Sequence, residues 1–423
     1  MMRARVCPII TCALLLMLNT VVVAGPVQVE FWFGEAPKAY VDSMTGIVEQ
    51  FNAAHPDIHV NLILKGHATY PYVDAMKVAV VGGSSPDLVY HNYYTVKDMS
   101  LEGDWFIPLN DLLHPKEIEA LDDAYLPGPR DSMKIGSIWY GLPWRTCVRG
   151  LLVNIDMFEQ AGMDPSKPPR YIDELDAAAQ KLAVRDESGE IIKVGFVPTG
   201  NNLSRGLPWL WAFGGEFYDY DNFTPALTGA HRERNLEALA WMKSYADHYG
   251  TRPSGSSWFR QEKVAMCIDS TTFLANLADT HPALRVAAGV IPTKPDAKLF
   301  STTFPLGPAI PVGARNAKAA VEFIKYLSDP DVQVKWFDET RSIPTTISAF
   351  RRIQPRAKDP RERFLIQQML PAARIMPPFS TDILNIFEPI FNAMRAGRAT
   401  PLEVLEETQR LAEMALQEKI KTR

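Results

Sequence analysis

The chain has 423 residues, of which 47% are hydrophobic and 22% charged, and its formal net charge is −5. This composition is typical of a globular protein, and the length exceeds that of one ordinary hydrophobic core, so we expect two domains. The acidic balance and the lack of a basic patch argue against nucleic acid and anionic membrane surfaces as partners.

Residues 1–24 have the pattern of a signal peptide. Two arginines precede an apolar run that is too short and interrupted to anchor the chain in a bilayer, and small residues stand just before Gly25. The alternative is a buried N-terminal strand. The pattern predicts export, cleavage near Gly25 and a mature protein that works outside the cytoplasm.

Strand and helix patterns alternate in the first part of the mature chain. Strands are predicted at Val27–Phe33, Ile58–Leu64 and Asp87–Tyr90, and apolar residues at helical spacing lie between them. This order predicts a parallel sheet covered by helices.

The alternation restarts after residue 143. The strands predicted in this second part are Val148–Val153, Ile191–Val197, Val264–Ile268 and Val286–Ile291. From Ala314 onward the chain is predicted to be mostly helical. The sequence therefore predicts two α/β lobes with a helical C-terminal extension.

Polar and aromatic side chains follow several predicted strands, where open α/β sheets bind their ligands. They lie in the stretches Trp32–Glu35, Tyr90–Tyr94, Trp139–Arg145, Trp209–Trp211 and Asp269–Ser270. Aromatic faces cover the apolar faces of a pyranose, and amides and carboxylates bind its hydroxyls. This combination favours a sugar site. For each ring the alternative is core packing, and Glu35 could instead cap the following helix.

Motifs for catalysis or metal binding do not occur. There is no GxSxG, HExxH, P-loop or CxxC, and Pro56 interrupts the spacing of His55 and His59 that would suit a helical metal pair. The sequence predicts no catalytic residue, no metal and no cofactor. Composition alone leaves room for a carboxylate pair of the kind that hydrolyses glycosides.

Short segments along the whole mature chain carry a family resemblance. They are VEFWFG at Val29–Gly34, FNAAHPDIHV at Phe51–Val60, GGSSPDLV at Gly82–Val89, WYGLP at Trp139–Pro143, LLVNIDMFEQAG at Leu151–Gly162, Val264–Met266, AAVEFIKYLSDPD at Ala319–Asp331, Ser342–Thr345 and Pro401–Met414. In this order they resemble the extracellular solute-binding proteins of ABC importers, in particular the carbohydrate-binding group that includes maltose-binding protein.

The resemblance implies a bilobal α/β fold, the periplasmic-binding-protein fold, with discontinuous lobes joined by a hinge. Lobe one would comprise residues 25–145 and 270–313, and lobe two residues 149–267 and 318–423. It also implies a monomeric periplasmic receptor that captures a sugar or oligosaccharide between the lobes and delivers it to permease subunits in the inner membrane.

The resemblance and the strand ends together indicate the ligand-binding residues. In lobe one these are Glu35, His91, Asn92, Tyr93, Trp144, Arg145, Phe304 and Gly307. In lobe two they are Asn201, Asn202, Arg205, Trp209 and Phe379, and Asp269 and Ser270 lie at a crossover. Trp144 and Trp209 are the candidates for stacking on a sugar ring.

Three alternatives remain open at this point. Arg145 and Arg205 would also suit glycerol phosphate or a related anionic polyol. A secreted glycoside-acting enzyme is a second possibility, and a receptor that feeds a membrane sensor is a third.

Cys147 and Cys267 are the cysteines left after signal-peptide removal. In the implied fold both lie beside crossover strands, so we expect them close together in the hinge. A disulfide between them and two buried free thiols are both compatible with the sequence.

Overall fold

The structure is a computed structural model that describes residues 25–66, 70–198, 206–250 and 255–421. The predicted signal peptide, residues 1–24, lies outside this range. So do three of the predicted ligand-binding residues, Asn201, Asn202 and Arg205.

Seventeen strands and seventeen helices carry the described fold. The strands are β1 (Val27–Phe33), β2 (Ile58–Leu64), β3 (Leu88–Asn92), β4 (Lys134–Ile135), β5 (Ile138–Trp139), β6 (Arg145–Thr146), β7 (Arg149–Asn154), β8 (Val184–Arg185), β9 (Ile191–Phe196), β10 (Tyr218–Asp219), β11 (Thr224–Pro225), β12 (Val264–Ser270), β13 (Val286–Gly289), β14 (Ser301–Thr302), β15 (Leu306–Ala309), β16 (Ile343–Pro344) and β17 (Ala373–Arg374). The helices are α1 (Lys38–Ala54), α2 (Tyr70–Val81), α3 (Tyr93–Glu102), α4 (Pro115–Ala124), α5 (Pro127–Ser132), α6 (Ile155–Gln160), α7 (Ile172–Leu182), α8 (Trp209–Ala212), α9 (Arg232–Tyr249), α10 (Gly255–Arg260), α11 (Thr271–Thr280), α12 (Ala317–Leu327), α13 (Pro330–Thr340), α14 (Ile347–Ile353), α15 (Pro360–Phe364), α16 (Ser380–Arg395) and α17 (Pro401–Lys421).

The first lobe is built on a six-stranded sheet with the order β16-β6-β15-β3-β1-β2. Strand β1 pairs in parallel with β2 and β3, and β15 runs antiparallel to β3. Phe31 is fully buried on one face of β1, where it packs against Phe323 of α12. Phe51 of α1 contacts the same ring, so α1 and α12 cover this sheet together.

The second lobe is built on a five-stranded sheet with the order β13-β7-β12-β9-β8. Strand β7 runs antiparallel to both β12 and β13, and β12 runs parallel to β9. The two sheets and the C-terminal helices α16 and α17, which pack on α9, confirm the predicted bilobal α/β fold with a helical C-terminal segment.

The lobe boundaries differ from the predicted ones at two places. Residues 318–344 were predicted in lobe two, yet α12 and α13 pack on the first lobe and β16 pairs with β6 of the first sheet. Residues 271–289 were predicted in lobe one, yet β13 belongs to the second sheet. The apolar face of α12 fits the Phe31 side of the first sheet, which is a long-range match that local sequence patterns do not reveal.

The expected proximity of the two cysteines is wrong. Strand β12 places Cys267 opposite Leu152 of β7, which is five residues beyond Cys147. At roughly 3.3 Å per strand residue, that offset separates the two positions by about 16 Å, far beyond disulfide reach. Both thiols are buried and free.

Candidate ligand-binding cleft

A groove of about 1120 Å³ lies between the lobes. The first lobe contributes the segment after β1, the start of α1 and the C-terminal end of α13. The second lobe contributes Arg260 and most of α11. Four predicted ligand-binding residues line this groove together, namely Glu35, Arg145, Asp269 and Ser270.

Glu35 and Arg145 form a buried ion pair in the first-lobe wall of the groove. Glu35 follows the end of β1, Arg145 begins β6, and the two residues are 5% and 7% exposed. The Arg145 guanidinium also lies 5.0 Å from the ring centroid of Tyr40, whose hydroxyl is 2.8 Å from Oγ of Ser342. Burial alone would lower the pKa of Arg145, but the carboxylate of Glu35 raises it above its ordinary value. Arg145 therefore stays protonated, and the carboxylate of Glu35 compensates its charge.

Asp269 and Ser270 end strand β12 at the opposite wall. Oδ2 of Asp269 accepts a 2.6 Å hydrogen bond from the Ser256 hydroxyl, and Oδ1 accepts a 2.7 Å bond from the backbone N–H of Ser270. Burial raises the pKa of Asp269, against the opposing effect of these bonds and of Arg149. The Ser270 hydroxyl caps α11 by accepting from the N–H of Phe273.

Phe304 lies next to this wall rather than in it. The guanidinium of Arg149 stacks 4.6 Å from the Phe304 ring centroid and donates a 3.0 Å bond to Oγ1 of Thr302. Tyr93 and Tyr94 meet the same ring edge-on at 6.2 Å. Phe304 and Tyr94 are both half-buried, so this aromatic cluster retains surface that a ligand can contact.

The two predicted stacking residues, Trp144 and Trp209, are core residues in this structure. Trp144 is 2% exposed and packs 4.3 Å from Trp336. Trp209 is fully buried, contacts Trp241 at 4.9 Å and donates from Nε1 to the carbonyl of Pro198. Neither ring offers a face to a ligand in this arrangement, so the geometry gives no support to their stacking role.

His91 and Gly307 are likewise buried in the first sheet. The His91 ring stacks 4.5 Å from Tyr72, and burial lowers its pKa to about 3, so the imidazole is neutral at physiological pH. A Cβ on Gly307 would lie 1.8 Å from the carbonyl oxygen of Leu142. Because Gly307 has no side chain, β15 can pass close to the backbone at Leu142.

Asn92, Tyr93 and Phe379 have structural contacts outside the groove. The side chain of Asn92 caps α3 by accepting from the N–H of Thr95 at 2.9 Å. The Tyr93 hydroxyl donates a hydrogen bond to the carbonyl of Met376, and the backbone N–H of Phe379 donates one to Asp98. Both bonds connect α3 with the segment that precedes α16.

The chain is similar in sequence to a known protein family. The sequence profile of the family described as "Bacterial extracellular solute-binding protein" matches residues 38–334. The chain belongs to this family.

Two relatives illustrate the range of this solute-binding family. The sn-glycerol-3-phosphate-binding periplasmic protein UgpB of Pectobacterium atrosepticum is 21% identical over 410 residues, which cover 90% of this chain and 89% of UgpB. A putative binding protein of Brucella abortus is 25% identical over 291 residues, 66% of this chain and 68% of that protein. These relatives are binding proteins.

Solved structures share the fold over nearly the whole chain. CpMnBP1 with mannotriose bound is 26% identical with a TM-score of 0.78, and the match covers 92% of this chain and all of that one. A solute-binding protein of Thermotoga lettingae bound with α-D-tagatose is 23% identical with a TM-score of 0.73, covering 93% and 100%. The similarity to the Thermotoga lettingae protein concerns the fold alone.

One residue of the groove was missed from the sequence. Tyr40 lines the groove from the first turn of α1. Its position shortly after the first strand end was an available signal. No helix within the described ranges is long and apolar enough to cross a bilayer.

Proposed function

We propose that this chain is the sugar-binding component of an ABC importer. It captures a sugar or oligosaccharide in the interlobe groove and passes it to a membrane permease. The observation that carries the proposal is the groove itself, in which carboxylate, guanidinium and hydroxyl groups from both lobes lie together, with the half-buried rings of Phe304 and Tyr94 next to one wall. The fold shared with mannotriose-bound CpMnBP1 supports the same reading.

The charge of the groove favours a neutral ligand over glycerol phosphate. The described lining holds seven carboxylates against five cations. Arg145 is paired with Glu35, Arg341 with Glu362 and Arg356 with Asp338. A phosphate dianion would have to displace these carboxylates or add to an already negative lining. Similarity to UgpB keeps glycerol phosphate as the second candidate, to which Arg205 would contribute.

We assign the ligand contacts within this proposal to two groups. Glu35, Arg145, Asp269 and Ser270 would bind hydroxyls, because their polar atoms converge on the groove from both lobes. Phe304 and Tyr94 replace the two tryptophans as ring-contact candidates. Asn201, Asn202 and Arg205 keep their proposed roles as polar ligands on the second lobe.

Ligand binding would act through closure of the two lobes. A ligand that contacts both walls stabilises the closed form, and the permease would recognise that form. The proposed protein works in the periplasm as a monomer after signal-peptide cleavage, and it catalyses no reaction. A membrane sensor in place of the permease is the alternative partner.

A thermal-shift screen of the mature protein tests this proposal. Mono-, di- and oligosaccharides, beginning with mannobiose and mannotriose, are compared with polyols and sn-glycerol 3-phosphate. Ligand at a hundred times its Kd stabilises the folded state by about 2.7 kcal/mol. A selective shift with a neutral saccharide, and the ligand recovered unaltered, would support a sugar receptor. A shift with glycerol phosphate alone would establish the second candidate, and product formation would favour a glycoside-acting enzyme.

A further inference from the structure

A second polar cluster joins the two lobes away from the groove. It lies where α3 of the first lobe meets α16 and α17 of the second, and its charged members are Asp98, Glu102, Asp382 and Lys419. Nζ of Lys419 lies 2.6 Å from Oε1 of Glu102 and 2.9 Å from Oδ2 of Asp382. One ammonium group is thus shared between a carboxylate of each lobe.

Asp98 makes the second polar contact of this junction. It lies one helical turn before Glu102 on α3, and its Oδ1 accepts a 2.8 Å hydrogen bond from the backbone N–H of Phe379. Phe379 immediately precedes α16 and has a φ of +57°, a left-handed conformation that is uncommon for a large side chain. Such a conformation persists only where surrounding contacts hold it. The bond from Asp98 in the first lobe is one of those contacts.

Tyr93 fixes the other end of the same segment. Its hydroxyl accepts a 2.5 Å bond from the N–H of Met376 and donates a 3.2 Å bond to the carbonyl of the same residue. Residues 376–379 are therefore held to α3 at both ends. Separation of the lobes along this face would break both sets of bonds.

The charges at the junction are unbalanced, because Asp98, Glu102 and Asp382 supply three carboxylates, while Lys419 and the nearby Lys97 supply two ammonium groups. Burial raises the pKa of Asp98 to about 7, and the carboxylates of Asp382 and Glu102 act in the same direction. The Phe379 N–H and Lys419 oppose them without cancelling their effect. Among the described residues, Lys97 and Tyr93 on α3 and Tyr218 on β10 also interact with Asp98.

We propose that Asp98, Glu102, Asp382 and Lys419 form an ionic clamp that holds the lobes together, and that proton loss from Asp98 loosens it. This inference concerns the two-lobed fold and does not depend on which ligand the groove takes.

The direction of the pH effect follows from proton linkage. When the lobes separate, water solvates Asp98 and its carboxyl returns towards the ordinary value of 3.8. The joined form binds this proton more tightly, so it is favoured fully at low pH. That advantage is lost as the pH rises between about 4 and about 7, and it stays constant above this range because both forms are then ionised.

Interlobe distances measured without ligand test the clamp. Spin labels are attached to Val78→Cys on α2 and Ile192→Cys on β9, whose native residues are 72% and 48% exposed. The native thiols are buried and remain unlabelled. We expect the ratio of joined to separated molecules to fall at least about tenfold between pH 5 and pH 7 and to level off above pH 7.5. Circular dichroism at each pH checks that the fold is intact.

Three variants separate the clamp from a merely structural contact. Asp98→Asn keeps an acceptor oxygen for Phe379 but carries no titrating charge, so it should remain joined at pH 8. Asp104→Asn, at an exposed aspartate two residues beyond α3, should keep the wild-type profile. Lys419→Met removes the ammonium group that Glu102 and Asp382 share and should separate the lobes at pH 7. A wild-type distance that does not change with pH, or Asp98→Asn with the wild-type profile, would overturn the proposal.

Discussion

Glu35 and Arg145 are 110 residues apart in the chain, yet they form a buried ion pair in the wall of the interlobe groove. A buried pair contributes little net free energy when both partners are present, because desolvation offsets most of the attraction. Removal of only one partner is costly, because it leaves the other charge buried without a partner. The pair therefore couples the end of β1 to β6 at the point where a ligand would contact the first lobe.

Removal of one partner tests this coupling. Glu35→Ala leaves the Arg145 guanidinium buried and unpaired, and we expect the free energy of unfolding to fall by about 3–5 kcal/mol. The double variant Glu35→Gln/Arg145→Met removes both charges and should recover much of that loss. Urea denaturation of the three proteins measures the effect. A single variant within about 1 kcal/mol of wild type would show that the pair is solvated in solution.

Alanine substitutions at Phe304 and Trp209 test which ring contacts a ligand and which ring belongs to the core. Phe304→Ala removes a half-buried ring beside the groove, so it should weaken ligand binding by roughly 1 kcal/mol or more while the protein stays folded. Trp209→Ala empties a fully buried site and should lower the free energy of unfolding by about 3–5 kcal/mol.

Calorimetric titration with the ligand found by the screen and thermal melts of each variant separate these effects. Trp209→Ala with wild-type stability and lost affinity would return the tryptophan to the ligand site, as the sequence alone suggested.

Gly307 and Gly46 form a matched pair of glycine substitutions. A Cβ on Gly307 would collide with the Leu142 carbonyl oxygen, whereas a Cβ on Gly46 in α1 meets only the flexible end of Lys335 at 3.6 Å. Gly307→Ala should therefore lower the melting temperature. Gly46→Ala should raise the free energy of unfolding by up to about 1 kcal/mol, because alanine favours the helix. The opposite order of the two melting temperatures would contradict the packing described for β15.

Local patterns in the sequence predicted elements well but not their tertiary partners. Strands β1 and β2 have the predicted bounds, because alternation of apolar side chains over seven residues is a strong local signal. Strands β6 and β16 have two residues each and show no alternation to detect. The assignment of α12 to a lobe depends on its contact with Phe31, almost 300 residues earlier in the chain, which no local pattern encodes.

The same limit applies to the site. Glu35, Arg145, Asp269 and Ser270 line the groove together because they lie at or near strand ends, which the alternation of strands and helices predicts to face a shared cleft. For Trp144 and Trp209 the sequence pattern does not decide, because a tryptophan near a strand end fits a core and a ligand site equally well. Only the packing of Trp336 and Trp241 against them separates the two.

The two cysteines give the last prediction. Cys147 and Cys267 are buried, free and offset by five residues across β7 and β12, so no disulfide can join them without moving the strands. Denatured, unreduced protein that lacks residues 1–24 should contain two titratable thiols per chain. In the native state both should react slowly with a thiol reagent, because burial blocks access and raises the pKa of the Cys267 thiol, which disfavours the reactive thiolate. A count of zero in the denatured protein would mean that the strands around Cys147 and Cys267 are arranged differently in solution.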